Sequence, residues 1–342
     1  MLDCLTRRRY DAAALIANHP PAELYPHKQL VFDLCCPPGA AHSGTLELTR
    51  WREAALPDTC QLADTEIEAV PGTFDYRGDE RGVWHLNFAD PHLFCGYASS
   101  LLAQDELQAA EHPLLGCVLE ALLAEGLPAL TEERRRPTPV LVTGVERRCE
   151  LQTAPTSARP GGLYGNRFAA ASASEVLEAT RVLTPPTRTN LIAIAAPSGG
   201  FGTYDSEDVE RVMVTAFTGF SAAVAESRRL WRRSPVEIRT GFWGCGAFGG
   251  SRHAMTLMQL LAARMAGVDR VRFYVFDEDG LSAFQTGAAH LAELLAQAGA
   301  SSSAQGAGPV AVAPLLAQIE ARGYRWARGS PRPGAGSACW RL

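Results

Sequence analysis

A chain of 342 residues, 46% hydrophobic and 20% charged, has the composition of a folded globular protein, long for one domain and short for three. A net charge of −5, with no basic run longer than Arg7-Arg8-Arg9 or Arg134-Arg135-Arg136, argues against a dedicated nucleic-acid binder, local positive patches aside. No apolar run approaches the roughly 20 residues that span a bilayer and no signal-peptide core follows the first residues, so no membrane partner is expected. Nine cysteines without framework spacing point to reduced thiols and a cytoplasmic location, and no Cys-x-x-Cys or His-x-x-x-His spacing offers a metal.

Residues 1–60 mix short helical signals with prolines and read as an accessory segment packed on the main domain. Tyr10–Asn18 predicts a helix ended by His19-Pro20-Pro21, and Gln29–Leu34 a short strand or helix. Thr65–Val70 alternates and reads as a first sheet strand, followed by a turn at Gly72-Thr73-Phe74-Asp75. Val83–Ala89 alternates again as a strand. Asp90–Ser100, rich in small residues, is a loop, and a helix is expected from about Leu101, with Val118–Leu127 a second helix. Arg134–Pro139 reads as a linker, Val140–Thr143 as a buried strand, and the Pro-, Gly- and Ser-rich stretch 152–168 as a loop. Further expected elements are a strand at Asn190–Ala195, a long helix at Glu207–Arg229 and a strand at Val236–Thr240. A buried helix at Ala254–Ala266, a central strand at Arg270–Phe276 and a helix at Leu281–Ala298 follow. Ala300–Gly308 reads as low complexity, Pro309–Arg322 as a last helix, and the chain from Arg328 as a loose tail. Strands alternating with helices predict an α/β layered fold with a mixed sheet.

Two blocks carry chemistry. The first is Asn87-Phe88-Ala89-Asp90, then Phe94-Cys95-Gly96, then Gln104-Asp105-Glu106, with 13 residues between the outer motifs, Pro91 to Ala103. The second is residues 240–250, Thr-Gly-Phe-Trp-Gly-Cys-Gly-Ala-Phe-Gly-Gly. Strand, small-residue loop, helix is the geometry that offers backbone N–H groups to an anion. No Gly-Lys-Ser/Thr follows, so the second block is not an NTPase loop.

Together these blocks resemble the poly(ADP-ribose) glycohydrolase family, a branch of the macrodomains. The family reads Asp-Phe-Ala-Asn, Gly-Gly-Gly and Gln-Glu-Glu in the first block. It differs in the second only by Asn where this chain has Phe242. The resemblance covers about residues 64–325. It implies a three-layer α/β/α macrodomain over residues 61–326, with a tail at 327–342. It implies a glycosidase that splits the O-glycosidic bond of ADP-ribose modifications and needs no cofactor. The partner would be ADP-ribose or poly(ADP-ribose) on protein, or on nucleic acid.

Residue by residue, the resemblance makes Glu106 the acid that protonates the leaving ribose oxygen, with Asp105 on a ribose hydroxyl and Gln104 as a brace. Gly244, Cys245, Gly246, Ala247, Phe248 and Gly249 would cradle the diphosphate, because glycine permits close backbone approach. Phe74 and Asp75 would meet the adenine, as stacking ring and acceptor. Asn87, Asp90, Cys95 and Gly96 complete the implied ligand contacts. Phe276 or Tyr274 would take the adenine-stacking role, and Tyr164 would replace an aromatic missing after Gly144. Read without the resemblance, Asp105 and Glu106 are a solvated helix face, and Gly72–Asp75 is a turn. Cys95 and Cys245 read as small buried residues rather than nucleophiles. Side chains at Phe94 and Cys95 in place of glycines would narrow the diphosphate tunnel, which leaves a reader of ADP-ribose with little turnover as the alternative function.

Overall fold

The computed structural model describes residues 2–77, 81–299 and 308–327. Strand β1 (Cys4–Asp11) runs into helix α1 (Ala12–Asn18), followed by α2 (Pro26–Cys35), β2 (Thr45–Trp51), β3 (Thr59–Cys60), β4 (Glu66–Pro71) and β5 (Val83–Ala89). Helices α3 (Gln104–Glu111) and α4 (Leu114–Ala124) precede a small hairpin, β6 (Glu132–Glu133) and β7 (Arg136–Pro137), and the long strand β8 (Val140–Leu151). Short helices α5 (Arg167–Ala170) and α6 (Ala173–Ala179) lead to β9 (Thr180–Ala195) and α7 (Ser206–Trp231). Then come β10 (Glu237–Thr240), α8 (Arg252–Ala266), β11 (Arg270–Phe276), α9 (Glu278–Gln297), β12 (Val310–Ala311) and α10 (Val312–Ala321).

Eight strands form one mixed sheet in the order β1-β2-β8-β9-β5-β10-β11-β4. The pairings β1–β2, β2–β8 and β8–β9 are antiparallel, and the run β9-β5-β10-β11-β4 is parallel. Parallel strands need cover on both faces, and the side-chain alternation supplies two cores. Along β9, Ile192 and Ile194 join the core built with α7, α8, α9 and α10, while Leu191 and Ala193 join a second core with α1 and α4. β8 does the same, with Leu141 on the first face and Val140 and Val142 on the second. Each such fully buried aliphatic side chain contributes about 1.5–3 kcal/mol. The result is a helix–sheet–helix sandwich, as the alternating pattern predicts.

Several expectations need correction. Residues 1–60 do not only pack on the domain: β1 and β2 extend its sheet. The expected helix from Tyr10 begins at Ala12, capped by Asp11, whose side chain accepts the Ala14 N–H at 2.9 Å. Gln29–Leu34 lies within a helix, opened by Pro26 at a position where a missing N–H costs nothing. The strand from Val140 runs on through Gly144 (φ 71°), which marks a register shift rather than the start of a loop. The strand expected from Asn190 begins at Thr180. Its outer half contains Pro185 and Pro186 and is largely exposed, so neither hydrophobicity nor propensity marks it. β11 has neighbours on both sides, but it lies next to the edge strand β4. The low-complexity stretch 300–307 and the tail from Arg328 lie outside the described residues.

Candidate active site

The parallel strands β5, β9, β10 and β11 end at the same edge of the sheet, the place where open α/β sheets bind ligands. The loops there enclose a cleft of about 590 Å³, within the range of small-molecule sites. One wall is Asp90, Leu101 and the first turn of α3 with Gln104, Asp105 and Glu106. Opposite runs the glycine-rich loop from Phe242 to Phe248, with Arg252 at the start of α8. The segment with Thr153, Pro155, Tyr164 and Arg167 crosses the cleft, and Phe276 and Asp277 follow β11 into it.

The polar triplet is anchored from behind. Gln104 Oε1 accepts the Phe88 N–H at 2.7 Å, and its Nε2 donates to the Leu86 carbonyl at 2.8 Å and the Tyr76 hydroxyl at 3.1 Å. That locks the first residue of α3 to the end of β5. Asp105 Oδ1 accepts from Asn87 Nδ2 at 2.8 Å. Glu106 Oε2 accepts the Ala103 N–H at 3.0 Å, capping its own helix. Its other oxygen lies against Gly96, where an added Cβ would come within 2.5 Å of Oε1.

Asp105 and Glu106 are only 7% and 9% exposed. Burial raises the Asp105 carboxyl, the Glu106 charge adds to this, and Asn87 and Lys28 oppose it. Burial likewise raises Glu106, against Lys28 and the backbone N–H groups. Burial pushes the Tyr164 phenol up to about 12, and the charge of Glu106 adds to it. Burial therefore shifts both neighbouring carboxyl groups toward the protonated form.

The glycine-rich loop is tightly folded. Gly244 takes φ 75°, and a Cβ there would lie 2.6 Å from Ala196 Cβ. At Gly246 an added Cβ would meet nothing within 4 Å, so the backbone lies open to the cleft. Trp243, fully buried, pins the loop to β9 by donating to the Ile194 carbonyl at 3.0 Å. Ser251 caps α8 by accepting the Ala254 N–H at 3.4 Å, so the positive end of a 15-residue helix adjoins the loop. Phe242 packs on Phe273 and carries the Arg252 guanidinium 4.8 Å from its ring centre. Burial pushes the Cys245 thiol up to about 12, so it is not a thiolate at neutral pH.

Of the residues singled out from the sequence, Asp90, Gln104, Asp105, Glu106, Gly244, Cys245, Gly246, Ala247, Phe248 and Phe276 line this cleft together, and Tyr164 joins them. Others stand elsewhere. Phe74 packs behind Phe276, with ring centres 5.2 Å apart, and against Phe88 at 5.3 Å. Asp75 is turned to Arg77, with Oδ2 2.6 Å from Nε. Asn87 lies beneath Asp105. Cys95 does not line the cleft and is half-buried and disulfide-bonded, against the expectation of a buried reduced thiol, and Gly96 serves Glu106 by making room for it. Gly249 is part of the turn, its N–H bonded to the Gly246 carbonyl at 3.1 Å. Tyr274, the alternative to Phe276, is 4% exposed and donates to the Asp75 carbonyl at 3.2 Å. The feared obstruction by Phe94 is absent: its ring is fully buried in the second core and its backbone keeps a glycine-like φ of 52°.

Sequence reasoning missed Arg252, Arg167 and Lys28. Arg252 carried a signal, a basic residue opening a helix straight after the glycine-rich loop. Arg167 carried none. Lys28 is the single lysine of the chain, a signal that composition offered.

The fold and cleft together define an α/β macrodomain-like protein with an open cleft over the strand ends. The family described as "Poly (ADP-ribose) glycohydrolase (PARG), Macro domain fold" matches residues 78–283, and the chain belongs to that family. It is similar to "Probable poly(ADP-ribose) glycohydrolase 2" of Arabidopsis thaliana, 28% identical over 130 residues, 29% of this chain and 24% of that protein. The match thus spans about a quarter of the curated relative's length. Among solved structures, it resembles the poly(ADP-ribose) glycohydrolase from Thermomonospora curvata at 18% identity, covering 82% and 93% of the two chains with TM-score 0.40. The enzyme from Deinococcus radiodurans in complex with ADP-ribose matches at 15% identity over 83% and 94%, with TM-score 0.43.

Proposed function

We propose that this protein is an ADP-ribosyl glycohydrolase, a hydrolase that splits the O-glycosidic bond at the ribose of an ADP-ribose modification, with Glu106 as general acid. The observation that carries the reading is the placement of Glu106: 9% exposed on the cleft wall, fixed by the Ala103 N–H and pressed against Gly96. An acid must hold a proton when substrate is bound, and burial raises this carboxyl in the required direction. A bound diphosphate would raise it further.

The diphosphate sits along the open backbone at Gly246, near Arg252 and the α8 terminus, with Phe248 beside it. Phe276 stacks on the base, and Asp105 holds a ribose hydroxyl. Glu106 gives its proton to the leaving oxygen as the anomeric C–O bond breaks. Water adds to the anomeric carbon and its spare proton returns to Glu106, which leaves free ADP-ribose and the released hydroxyl. The oxocarbenium-like transition state is stabilised by the nearby diphosphate.

The buried position of the Phe94 ring favours turnover over a reader without activity, because that side chain leaves the cleft free. The test is ADP-ribose release from poly-ADP-ribosylated protein, mono-ADP-ribosylated protein and ADP-ribosylated DNA, with wild type beside Glu106→Gln. The amide keeps the shape and removes the acid. Release by wild type that falls at least 100-fold in the variant is expected. Binding of ADP-ribose with no release from any of the three substrates would replace the enzyme by the reader.

A further inference from the structure

Of the 32 lysine and arginine residues of this chain, all but one are arginine. Lys28, on α2, is 3% exposed, and its Nζ donates to the Gly96 carbonyl at 2.9 Å. Gly96 is the residue against which Glu106 Oε1 rests. The same N-terminal stretch grips this loop at two further points. The Tyr25 N–H donates to the Ala98 carbonyl at 2.9 Å, and the Tyr97 hydroxyl accepts the Ala22 N–H at 2.8 Å. Burying an ammonium is unfavourable unless it is compensated. Here the compensation is one carbonyl and the charges of Asp105 and Glu106.

We propose that Lys28 is a positioning residue of the candidate active site: its ammonium holds the 94–96 loop against Glu106 and sets how the Asp105–Glu106 pair carries its charge. The proposal rests on the hydrolase reading of the cleft. A lysine suits the task where an arginine does not, because a compact point charge fits beside one carbonyl and its protonation responds to its neighbours. Among the described residues, groups that act on the carboxyl pair include Lys28 from α2, Asn87 from β5, Asp90 from the following loop and Tyr164 from the 152–168 segment. Lys28 is the cation that acts on both carboxyl groups, while Arg167 and Arg252 also line the cleft. Burial lowers the Lys28 ammonium to about 8, with Glu106 and Asp105 opposing the fall.

Because the chain has a single lysine, protein grown with 13Cε-lysine shows one lysine resonance, whose shift reads the protonation of Lys28 directly. Titration of wild type is expected near 8, well below the ordinary lysine value of about 10.4. In Glu106→Gln the midpoint is expected to fall by about 1 unit, as one negative partner is gone. A midpoint near the ordinary value, unmoved by Glu106→Gln, would overturn the proposal. Lys28→Met adds the kinetic readout. The alkaline limb of the kcat profile is expected to move up by about 1 unit, with kcat falling at least tenfold and KM staying within threefold. Lys28→Arg, which keeps the charge, is expected to hold the limb at the wild-type position. A limb that stays in place in Lys28→Met, with kcat reduced, would reduce Lys28 to a structural prop and also overturn the proposal. Failure of the hydrolase reading shows separately, as no ADP-ribose release by wild type at any pH, while the resonance still decides whether Lys28 is coupled to the carboxyl pair.

Discussion

A Gly96→Ala substitution adds one methyl group, whose carbon would lie 2.5 Å from Glu106 Oε1, 3.0 Å from its Cγ and 3.1 Å from its Cδ. Gly96 is not in the left-handed region, so alanine strains no backbone there. The carboxyl must retreat by roughly 0.9 Å to reach ordinary contact at 3.4 Å, and a side-chain tip does so easily. The retreat breaks the Ala103 N–H bond to Oε2, at a cost of about 1 kcal/mol. Alanine recovers about 0.4–1 kcal/mol by restricting the unfolded chain. Stability should therefore stay within about 1 kcal/mol of wild type. Activity should not, because displacing a catalytic group by about 1 Å costs on the order of 100-fold in rate. Urea unfolding and ADP-ribose release, measured on the same preparation, separate the two. A variant with unchanged stability and activity within threefold of wild type would refute Glu106 as a group whose position matters.

Arg147 and Glu111 form a pair at 2.7 Å with both side chains 3% exposed, so Arg147→Met should destabilise the fold by about 3–5 kcal/mol. Adding Glu111→Gln should restore much of that loss in chemical denaturation, and an equal loss in both variants would deny that the stranded charge is the cause. At Glu146, burial would raise the carboxyl, but His42, the Ser43 N–H and Arg148 outweigh it and hold it at about 2. A folded value below the ordinary 4.5 means stability that is full above 4.5 and lost as pH falls toward 2, about 3 kcal/mol in all. Glu146→Gln should flatten that part of the stability–pH curve, and a curve parallel to wild type between pH 4.5 and 2 would count against it.

Much of the layered architecture was legible because periodicity is local. β11 matches its expected bounds, and α7 and α8 extend theirs by two residues or fewer at each end. Their apolar spacing repeats within the element itself, as it does in β5, where Trp84 and Leu86 face one way and His85 and Asn87 the other. The glycine-rich run 244–250 was legible as a tight turn for a different reason: glycines allow the backbone to fold closely where side chains would clash.

The alternation in β5 did not reveal that its polar face is buried. His85 and Asn87 are 2% and 0% exposed beneath α3. Asp105 and Glu106, which by themselves read as a solvated helix face, are buried by the neighbouring loops. Gly96 reads as a glycine for a phosphate, and only the fold shows it making room for Glu106. The strands β1 and β2 and the reach of Lys28 were hidden for the same physical reason. A strand pairing or a buried charge is specified by its partner, and those partners lie tens of residues away, where no local pattern connects them. The sequence alone determined most of the element order and the two motif blocks. The tertiary structure decided which polar residues are sealed from water, and therefore which carboxyl groups are pushed toward their protonated form.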